Sequence, residues 1–191
     1  MAYQTYITEA LVCGSYDRNT SDRSFLLFAR EAGMIYAQAK SVREERSKQR
    51  YALQVCSHVR ATLIRGKSGW KIAGVESQQN LYALSDTREA RAFLRNIILL
   101  LRRVIHGETV YEEIFDDIIG ACAQVGKHDP SKLECVLTLR VLHALGYIAP
   151  HTSYNSFLHC SFPYERVDSL SENEEKACRE AIDHALMQSQ L

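Results

Sequence analysis

The sequence holds six cysteines, yet no two of them stand at the C-x-x-C spacing used by paired metal ligands and redox motifs. This scatter argues against a disulfide framework, and we expect reduced, buried thiols in a cytoplasmic protein. The N-terminal residues lack a basic segment followed by an apolar one, so no signal peptide is predicted. The longest apolar run, Ile97 to Leu101, is far too short to cross a bilayer, and no membrane association is expected.

Enzymatic signatures are also missing. The chain has no G-x-x-x-x-G-K-[ST] phosphate loop, no G-x-S-x-G nucleophile elbow and no H-E-x-x-H metal pair. Asp116 and Asp117 are adjacent acids with the chemistry to bind a metal, but an acidic outer helix face explains them more simply. These absences predict a protein that is not an enzyme and that needs no cofactor.

The formal net charge of the chain is zero, but the charges are unevenly spread. Residues 1–82 hold 12 lysines and arginines against 7 acids, whereas residues 83–191 hold 11 against 16. Binding of a polyanion needs a local cationic face rather than a basic total. The N-terminal part is therefore the predicted location of any nucleic-acid-binding surface.

The cationic excess is greatest in a connector between two predicted strands. Its five cations are Lys40, Arg43, Arg46, Lys48 and Arg50. Only two acids, Glu44 and Glu45, lie among them. Such a connector can hold phosphates, or it can be a solvated loop whose charges the two glutamates balance.

The first 80 residues show the period-two alternation and turn residues of short strands. Strands are predicted over Tyr3–Gly14, Ser24–Arg30, Met34–Ala39, Tyr51–Arg65 and Trp70–Val75. Because closure removes exposed sheet edges, strands joined in this way predict a small barrel, and their order suits an OB-type barrel.

From Ser85 the apolar period changes to about 3.6 residues, which is typical of amphipathic helices. The predicted helix starts are the capping boxes Asp86/Glu89, Thr109/Glu112 and Ser171/Glu174, and the N-cap pair Asp129-Pro130. The third helix is predicted to end at Gly146, and the stretch 147–170 is irregular. The sequence thus predicts an α+β protein with an OB-type barrel over residues 1–83, the candidate DNA-binding domain, and an all-α helical bundle over residues 84–191.

The residues around the connector resemble those of a known family. Between Asp22 and Gln54 the sequence is similar to the N-terminal barrel of the RecO-type recombination mediators, whose pattern runs "lfTreeG", "akGarr" and "S(k/r)lr…LqPf". The matching residues are Leu27-Phe28, Arg30-Glu31, Gly33, Ala39-Lys40, Arg43, Ser47-Lys48, Arg50 and Leu53-Gln54. The chain departs from the pattern at Ser41, where glycine is favoured, and at Val55-Cys56, where Pro-Phe is usual.

The resemblance implies a non-enzymatic DNA repair mediator. Proteins of this family bind single- and double-stranded DNA, anneal complementary strands, and work with RecR to load the RecA recombinase onto strands coated by single-strand DNA-binding protein. The implied partners are DNA, a RecR-type mediator and single-strand DNA-binding protein. The alternative that the residues leave open is a protein-interaction module with the same barrel and no DNA-binding role.

Many family members also carry a zinc ribbon with paired C-x-x-C motifs after an "lGy" turn. Leu145-Gly146-Tyr147 supplies the turn, but the ligand types that follow closely are only His151, His159 and Cys160. Since a structural zinc site needs four ligands, typically in two close pairs, we predict a short form of the family that binds no metal.

The predicted DNA contacts are Lys40, Arg43, Arg46, Lys48 and Arg50, with Arg18, Arg23 and Lys67 as further candidates. For Arg18 and Arg23, pairing with the neighbouring Asp17 and Asp22 on the surface is an equally good explanation. The candidates for stacking on bases are Tyr16, Tyr51 and Trp70, with a packing role in the barrel favoured for the tryptophan.

Overall fold

A computed structural model describes residues 4–158 and 161–188 of the 191-residue chain. The described chain divides into two compact units. The first contains the residues up to Leu84 together with Ile105–Phe115, and the second contains Ser85–Val104 together with the residues from Asp116 onward. Each unit is described separately below.

The first unit is built on five strands and one short helix. They are β1 (Thr5–Asp17), β2 (Arg23–Ala29), β3 (Gly33–Ala39), α1 (Gln49–Ala52), β4 (Ser57–Gly66) and β5 (Gly69–Asn80). The strands close into a barrel in the order β1-β2-β3-β5-β4, with β3 and β5 parallel and the other neighbours antiparallel. This order fits an OB-type barrel, and the α+β class is confirmed.

The barrel interior is filled by alternate residues of every strand, as period-two patterning requires. Small alanines on β1, β3 and β4 are interleaved with larger side chains on the facing strands, so the interior is packed rather than hollow. The core residues include Ala10, Val12, Phe25, Leu27, Ile35, Ala37, Val59, Ala61, Leu63, Trp70 and Ile72. This rigid core fixes the ends of the strands from which the polar loops project.

Residues 105–115 belong with the barrel, although the sequence pattern groups them with the helices. Phe28 on β2 is fully buried, and its ring lies 5.7 Å from the ring of Phe115. The backbone N–H of Met34 donates to the carbonyl of Gly107 at 2.8 Å. Gly33, with φ +67°, lets β3 begin against this segment, because a Cβ there would collide with the carbonyl oxygen of Thr109.

Three predicted strands have the wrong limits. The strand predicted from Tyr51 starts only at Ser57, because residues 49–52 form helix α1 and Cys56 adopts φ +70° before β4 begins. Strand β5 runs past Val75 to Asn80, and β1 runs past Gly14 to Asp17. The predicted first residue of β1, Tyr3, lies outside the described residues.

The second unit is helical, and no strand follows Asn80 within the described ranges. Its elements are α2 (Arg88–Val104), the part of α3 (Glu112–Gln124) after Phe115, α4 (Pro130–Ala144), a 3₁₀ turn (Asn155–Phe157), α5 (Tyr164–Val167) and α6 (Glu172–Gln188). Helix α4 packs against both α2 and α6. Each helix in the described part of the chain is too short or too polar to span a bilayer.

Two of the predicted helix starts are confirmed. The Asp129 carboxylate accepts from the N–H groups of Ser131 and Lys132 at 2.8 and 3.1 Å. Ser171 and Glu174 form a reciprocal capping box, with backbone-to-side-chain distances of 3.0 and 3.3 Å. Both caps therefore satisfy backbone donors that the helix itself leaves unpaired.

The other two predicted starts are wrong. Helix α2 is capped by Thr87, whose hydroxyl accepts from Ala90 N–H at 3.1 Å, and not by the box at Asp86. Helix α3 begins three residues after Thr109, with the Tyr111 carbonyl accepting the first helical bond. In both cases a residue type that favours the N-cap position lies within a few residues of the observed helix start. The capping-box spacing therefore placed the start close to its true position but not at it.

The predicted end of α4 at Gly146 is confirmed. Gly146 has φ +82°, and its N–H and that of Tyr147 return to the carbonyls of His143 and Leu142, each at 2.9 Å. This is a Schellman ending, in which glycine supplies the left-handed residue.

A largely buried ion pair lies beside the irregular stretch after α4. The Arg140 guanidinium donates to the Asp117 carboxylate at 2.7 Å and to the carbonyl of Phe157 at 2.8 Å. Only 11% of the Arg140 side chain and 16% of the Asp117 side chain are exposed. The interpretation of Asp117 as part of an acidic outer face is therefore wrong, whereas its neighbour Asp116 is exposed.

Candidate nucleic-acid interface

The connector that follows β3 is a loop anchored at one buried side chain. Ser41 turns the chain with φ +51°, and Val42 then inserts into the barrel core with 2% exposure. The cationic residues on either side of Val42 are exposed. A single apolar anchor thus fixes the position of a loop whose other side chains face solvent.

The connector is also tied to the loop between β1 and β2. The Asp22 carboxylate accepts from the N–H of Ser41 at 2.8 Å. The N–H of Arg43 donates to the Ser21 carbonyl at 3.1 Å, and its guanidinium donates to the Asn19 carbonyl at 2.8 Å. Two polar loops that are 20 residues apart in sequence therefore form one surface at this end of the barrel.

One carboxylate is shared between two arginines on this surface. Asp17 accepts from Arg23 Nε at 2.6 Å and lies 3.5 Å from Arg43 Nη1. The hydrogen bond from Arg23 lowers the pKa of Asp17 below its ordinary value, so this carboxylate is charged at neutral pH. Surface pairing, the alternative role for Arg23, is thus present, but one anion faces two cations and a positive excess remains.

The two loops and α1 enclose an open cleft of about 530 Å³. Three arginines from three separate segments line it, together with an exposed aromatic ring and apolar side chains from the core. The lining residues are Ser15, Arg23, Phe25, Val42, Arg43, Arg50, Tyr51, Leu53, Gln54 and Val55. Folding therefore gathers cations that the sequence separates by up to 27 positions.

Tyr51 is the most exposed aromatic ring of the cleft, at 62%. The Arg50 guanidinium lies 4.8 Å from its centroid and donates to its hydroxyl at 3.2 Å. A cation over one ring face is an attractive arrangement that holds the ring in place. The ring is thus oriented without being buried.

Of the other predicted connector contacts, Lys40 lies near an acid, whereas Arg46 and Lys48 do not pair with one in the part of the chain that the structure describes. Lys40 lies close enough to Asp22 to help lower its pKa, after the larger effects of the hydrogen bonds from Ser41 and Asn19. Within the described ranges, Arg46 and Lys48 make no side-chain hydrogen bond or ion pair, and Glu44 and Glu45 make none either. The two glutamates therefore do not neutralise the connector through direct contacts.

Arg18 and Lys67 stand at different places on the barrel. Arg18 is exposed in the loop between β1 and β2, where its N–H donates to the Asp22 carbonyl at 3.2 Å. Lys67 is exposed in the turn between β4 and β5. Because Trp70 pairs with Ala37 in a parallel register, that turn lies toward the start of β3, away from the connector. The structure thus groups Arg18 with the connector and separates Lys67 from it.

A second aromatic feature was missed in the sequence. Tyr36 on β3 is 59% exposed, and its ring lies 5.9 Å from that of Tyr16 on β1. The signal was available, because Tyr36 occupies an outward position in the alternation of β3. Trp70 is buried in the core at 7% exposure, and its indole N–H donates to Glu108 at 3.2 Å. Trp70 therefore has the packing role.

Comparison with known proteins gives three relatives, each named DNA repair protein RecO. Those of two strains of Desulfitobacterium hafniense are 31% identical over 143 residues, which is 74% of this chain and 52% of theirs. That of Heliobacterium modesticaldum is 27% identical over 164 residues, or 86% of this chain and 59% of its own. No family model matches the sequence.

The RecO-type resemblance is confirmed. The chain spans about half the length of the relatives it matches in Desulfitobacterium hafniense. The matched stretches are several times longer than the connector pattern that first indicated the family. The likeness thus extends well beyond the short cationic motif.

Each of the two departures from the RecO-type pattern, Ser41 and Val55-Cys56, contains a residue with a left-handed backbone conformation. Ser41 has φ +51° where the family favours glycine, and Cys56 has φ +70° where the family usually has the phenylalanine of Pro-Phe. Only glycine adopts this region without a steric cost, which for other residues is about 1–2 kcal/mol. A glycine at position 41, as in the RecO-type pattern, would adopt this conformation without that cost.

The metal prediction stays a prediction. No cluster of three or more histidine, cysteine or acidic side chains suited to a metal ion occurs in residues 4–158 and 161–188. Of the ligand types considered after the Leu145-Gly146-Tyr147 turn, His159 and Cys160 lie outside the described residues. The cysteines that are described, Cys13, Cys56, Cys122, Cys135 and Cys178, are all buried.

Proposed function

We propose that this chain is a non-enzymatic DNA repair mediator that binds single- and double-stranded DNA through the connector end of its OB-type barrel. The observation that carries the proposal is the convergence of Arg23, Arg43 and Arg50 around one cleft beside the exposed ring of Tyr51. Cations that hold phosphates, next to a ring that accepts bases, are the two parts that single-strand binders combine. The similarity to DNA repair proteins named RecO supports the same role.

The wider RecO-type role follows as part of this proposal. The chain anneals complementary strands and helps a RecR-type mediator to load the RecA recombinase onto strands coated by single-strand DNA-binding protein. Residues 83–191, which carry the acidic excess, form a helical bundle that stays away from DNA and is available to a basic partner.

The proposed contacts are electrostatic and so predict a specific salt dependence. Phosphate contacts fix the backbone without reading bases, so binding is expected to be largely indifferent to sequence. Replacing Arg43, Lys48 and Arg50 by alanine should weaken binding to any single strand about equally. Each lost phosphate contact should reduce the slope of log affinity against log salt by roughly 0.7 for single strands.

The test is a salt titration of this triple variant beside the parent protein, with a labelled oligonucleotide and fluorescence anisotropy. A matched control replaces three exposed cations of the helical unit, Arg88, Lys127 and Lys176, by alanine and should leave the slope unchanged. Thermal melts of all three proteins verify folding, since exposed cations contribute little to stability.

Two outcomes would contradict the proposal in different ways. An unchanged affinity and slope in the folded triple variant would move the DNA site to Arg18, Arg23 and Lys67. Absence of binding by the parent at any salt concentration would favour the alternative, a protein-interaction module whose basic loop only aids solubility.

A further inference from the structure

We infer that the cleft beside Tyr51 is a subsite for one unpaired nucleotide, and that it makes the barrel prefer single strands over duplexes. This inference rests on the proposed DNA-binding function and adds to it a place, a ligand unit and a strand preference. In this subsite the Tyr51 ring stacks on the base, Arg43 binds the adjoining phosphate, and Asp17 competes with that phosphate for Arg43.

The shape of the cleft fits a nucleotide unit rather than a groove-filling duplex. The cleft has a volume of about 530 Å³ and is open on one side, so a base can enter while the strand continues along the surface. Phe25, Val42 and Leu53 close its floor from the core, and Val55, at 42% exposure, adds an apolar wall. An apolar floor with a charged rim matches the flat base and the phosphate of a single unit.

Tyr51 is prepared for stacking. Arg50 contacts its ring and its hydroxyl, so the side chain is held before any ligand arrives. Tyr51 is nevertheless 62% exposed and lines the cleft. Stacking on an ordered ring loses less conformational entropy than stacking on a mobile one, which strengthens binding.

The two arginines that share Asp17 are held unequally. Arg23 Nε is 2.6 Å from the carboxylate, whereas Arg43 Nη1 is 3.5 Å from it and donates instead to the Asn19 carbonyl at 2.8 Å. A carbonyl is a weaker partner for a guanidinium than a phosphate, because charge-assisted hydrogen bonds are roughly twice as strong as neutral ones. Arg43 is therefore the arginine that a phosphate can take, while Arg23 stays bound to Asp17.

Strand preference follows from the base rather than from the phosphates. In a duplex both faces of each base are covered by its neighbours, but the phosphates remain exposed. Arg43 can therefore contact either form of DNA, whereas Tyr51 can contact only an unpaired base or one that has been extruded at a cost. Replacing Tyr51 should therefore lower the affinity for single strands alone, whereas replacing Arg43 should lower the affinity for both forms of DNA.

The experiment measures the dissociation constants of a (dT)₁₂ strand and of a 12-base-pair duplex for four variants of the full chain. Tyr51→Ala should weaken single-strand binding about tenfold, the scale of one base–aromatic stack, and leave duplex binding unchanged. Tyr51→Phe keeps the ring and should match the parent. Arg43→Ala should weaken both forms, and Asp17→Asn should tighten both a few-fold because it removes the competing charge.

Tyr82→Ala is the matched control, since Tyr82 is also an exposed tyrosine of the barrel unit and lies outside the cleft. It should leave both constants unchanged. A second readout uses a (dT)₁₂ strand with one photoreactive 5-iododeoxyuridine, followed by peptide mapping. The crosslink is expected on the peptide that contains Tyr51.

The outcomes separate the inference from the function on which it rests. If the parent binds DNA but Tyr51→Ala loses affinity for both forms equally, or for neither, the subsite is overturned and the proposed function stands. A crosslink confined to other peptides, or weaker binding by Asp17→Asn, overturns it as well. If the parent binds neither form, the proposed function and the subsite fail together.

Discussion

The two units of this protein use arginine in opposite ways. In the helical unit, Arg140 is 11% exposed and is held by Asp117 and by main-chain carbonyls. In the barrel unit, Arg43 is 38% exposed, and its carboxylate partner lies 3.5 Å away and is shared with Arg23. The first arginine is committed to the fold, and the second is available to an anion. A count of charges does not distinguish these two arginines, but their hydrogen-bond and ion-pair partners do.

The two regions also differ in where their charges lie. The Arg140–Asp117 pair removes one charge of each sign from the surface of the helical unit, so the acidic excess of residues 83–191 is unchanged by it. The basic excess of residues 1–82 includes Arg46 and Lys48 on an exposed loop.

The largest expected effect comes from breaking the buried pair. Arg140→Met leaves Asp117 without its cation and the Phe157 carbonyl without a donor, and should lower the free energy of unfolding by about 3–5 kcal/mol. Urea denaturation followed by circular dichroism measures this change.

Arg179→Met supplies the control for that measurement. Arg179 pairs with Glu175 at 2.6 Å on the surface of α6, and its loss should cost less than about 1 kcal/mol. Equal effects of the two substitutions would show that the lower exposure of the Arg140–Asp117 pair does not make it more important for stability than a surface pair.

A smaller effect is expected at the point where the segment 105–115 meets the barrel. Gly33→Ala should cost about 3 kcal/mol, because it adds a collision with the Thr109 backbone to the strain of a positive φ. Gly69→Ala, with φ +102° and open space around it, should cost only about 1–2 kcal/mol of strain. Thermal melts of the two variants compare them directly. If they melt together, the close packing of residues 105–115 is not what stabilises the start of β3.

The smallest effect concerns a carboxylate of the helical unit that lacks a committed arginine. Burial raises the pKa of Glu134, and hydrogen bonds from Asn96 at 3.1 and 3.2 Å offset this only in part. A raised pKa in the folded state means that Glu134 favours folding only when protonated, and that this contribution is lost as the pH rises through the folded pKa. At pH 7 its charge is therefore a cost.

Glu134→Gln should accordingly raise the melting temperature at pH 7 by about 1–3 °C and have no effect near pH 4, where the parent side chain is protonated. Glu180→Gln, at an exposed position of α6, serves as the control and should show no such pH dependence. A gain of equal size at both pH values would show that burial of the charge is not its cause.

The sequence predicted the parts of the fold that local rules determine. Strands β2 and β3 were placed to within a residue at either end, since each is a short apolar run and the turn that ends at Gly33 marks the boundary between them. Residues 51–56 were wrongly predicted as the start of a strand because Tyr51, Leu53 and Val55 alternate as in a strand. In the structure Ala52, at the end of a short helix, and Leu53, which follows it, are buried. Cys56 has a left-handed backbone conformation that the sequence pattern does not predict.

The candidate site could likewise be predicted from the sequence only in part. The connector cations were visible as a local excess, but the cleft depends on Arg23 and Asp17, which reach it from the neighbouring loop through tertiary packing. The sharing of one carboxylate by Arg23 and Arg43 is a relation between three residues distant in sequence. It follows from the closed barrel, and spacing along the chain does not reveal it.

Because residues 105–115 belong with the barrel, the barrel unit is completed only some time after its last strand has been synthesised. The ring of Phe28 packs against Phe115, which the ribosome adds only after the whole of α2. At about 5–20 residues per second, the chain between Leu84 and Phe115 takes a few seconds to make. For that interval all five strands exist but the outer side of β2 lacks this covering residue. Phe28 therefore lacks this contact until Phe115 is made, and a chain truncated after Asn80 would lack it permanently.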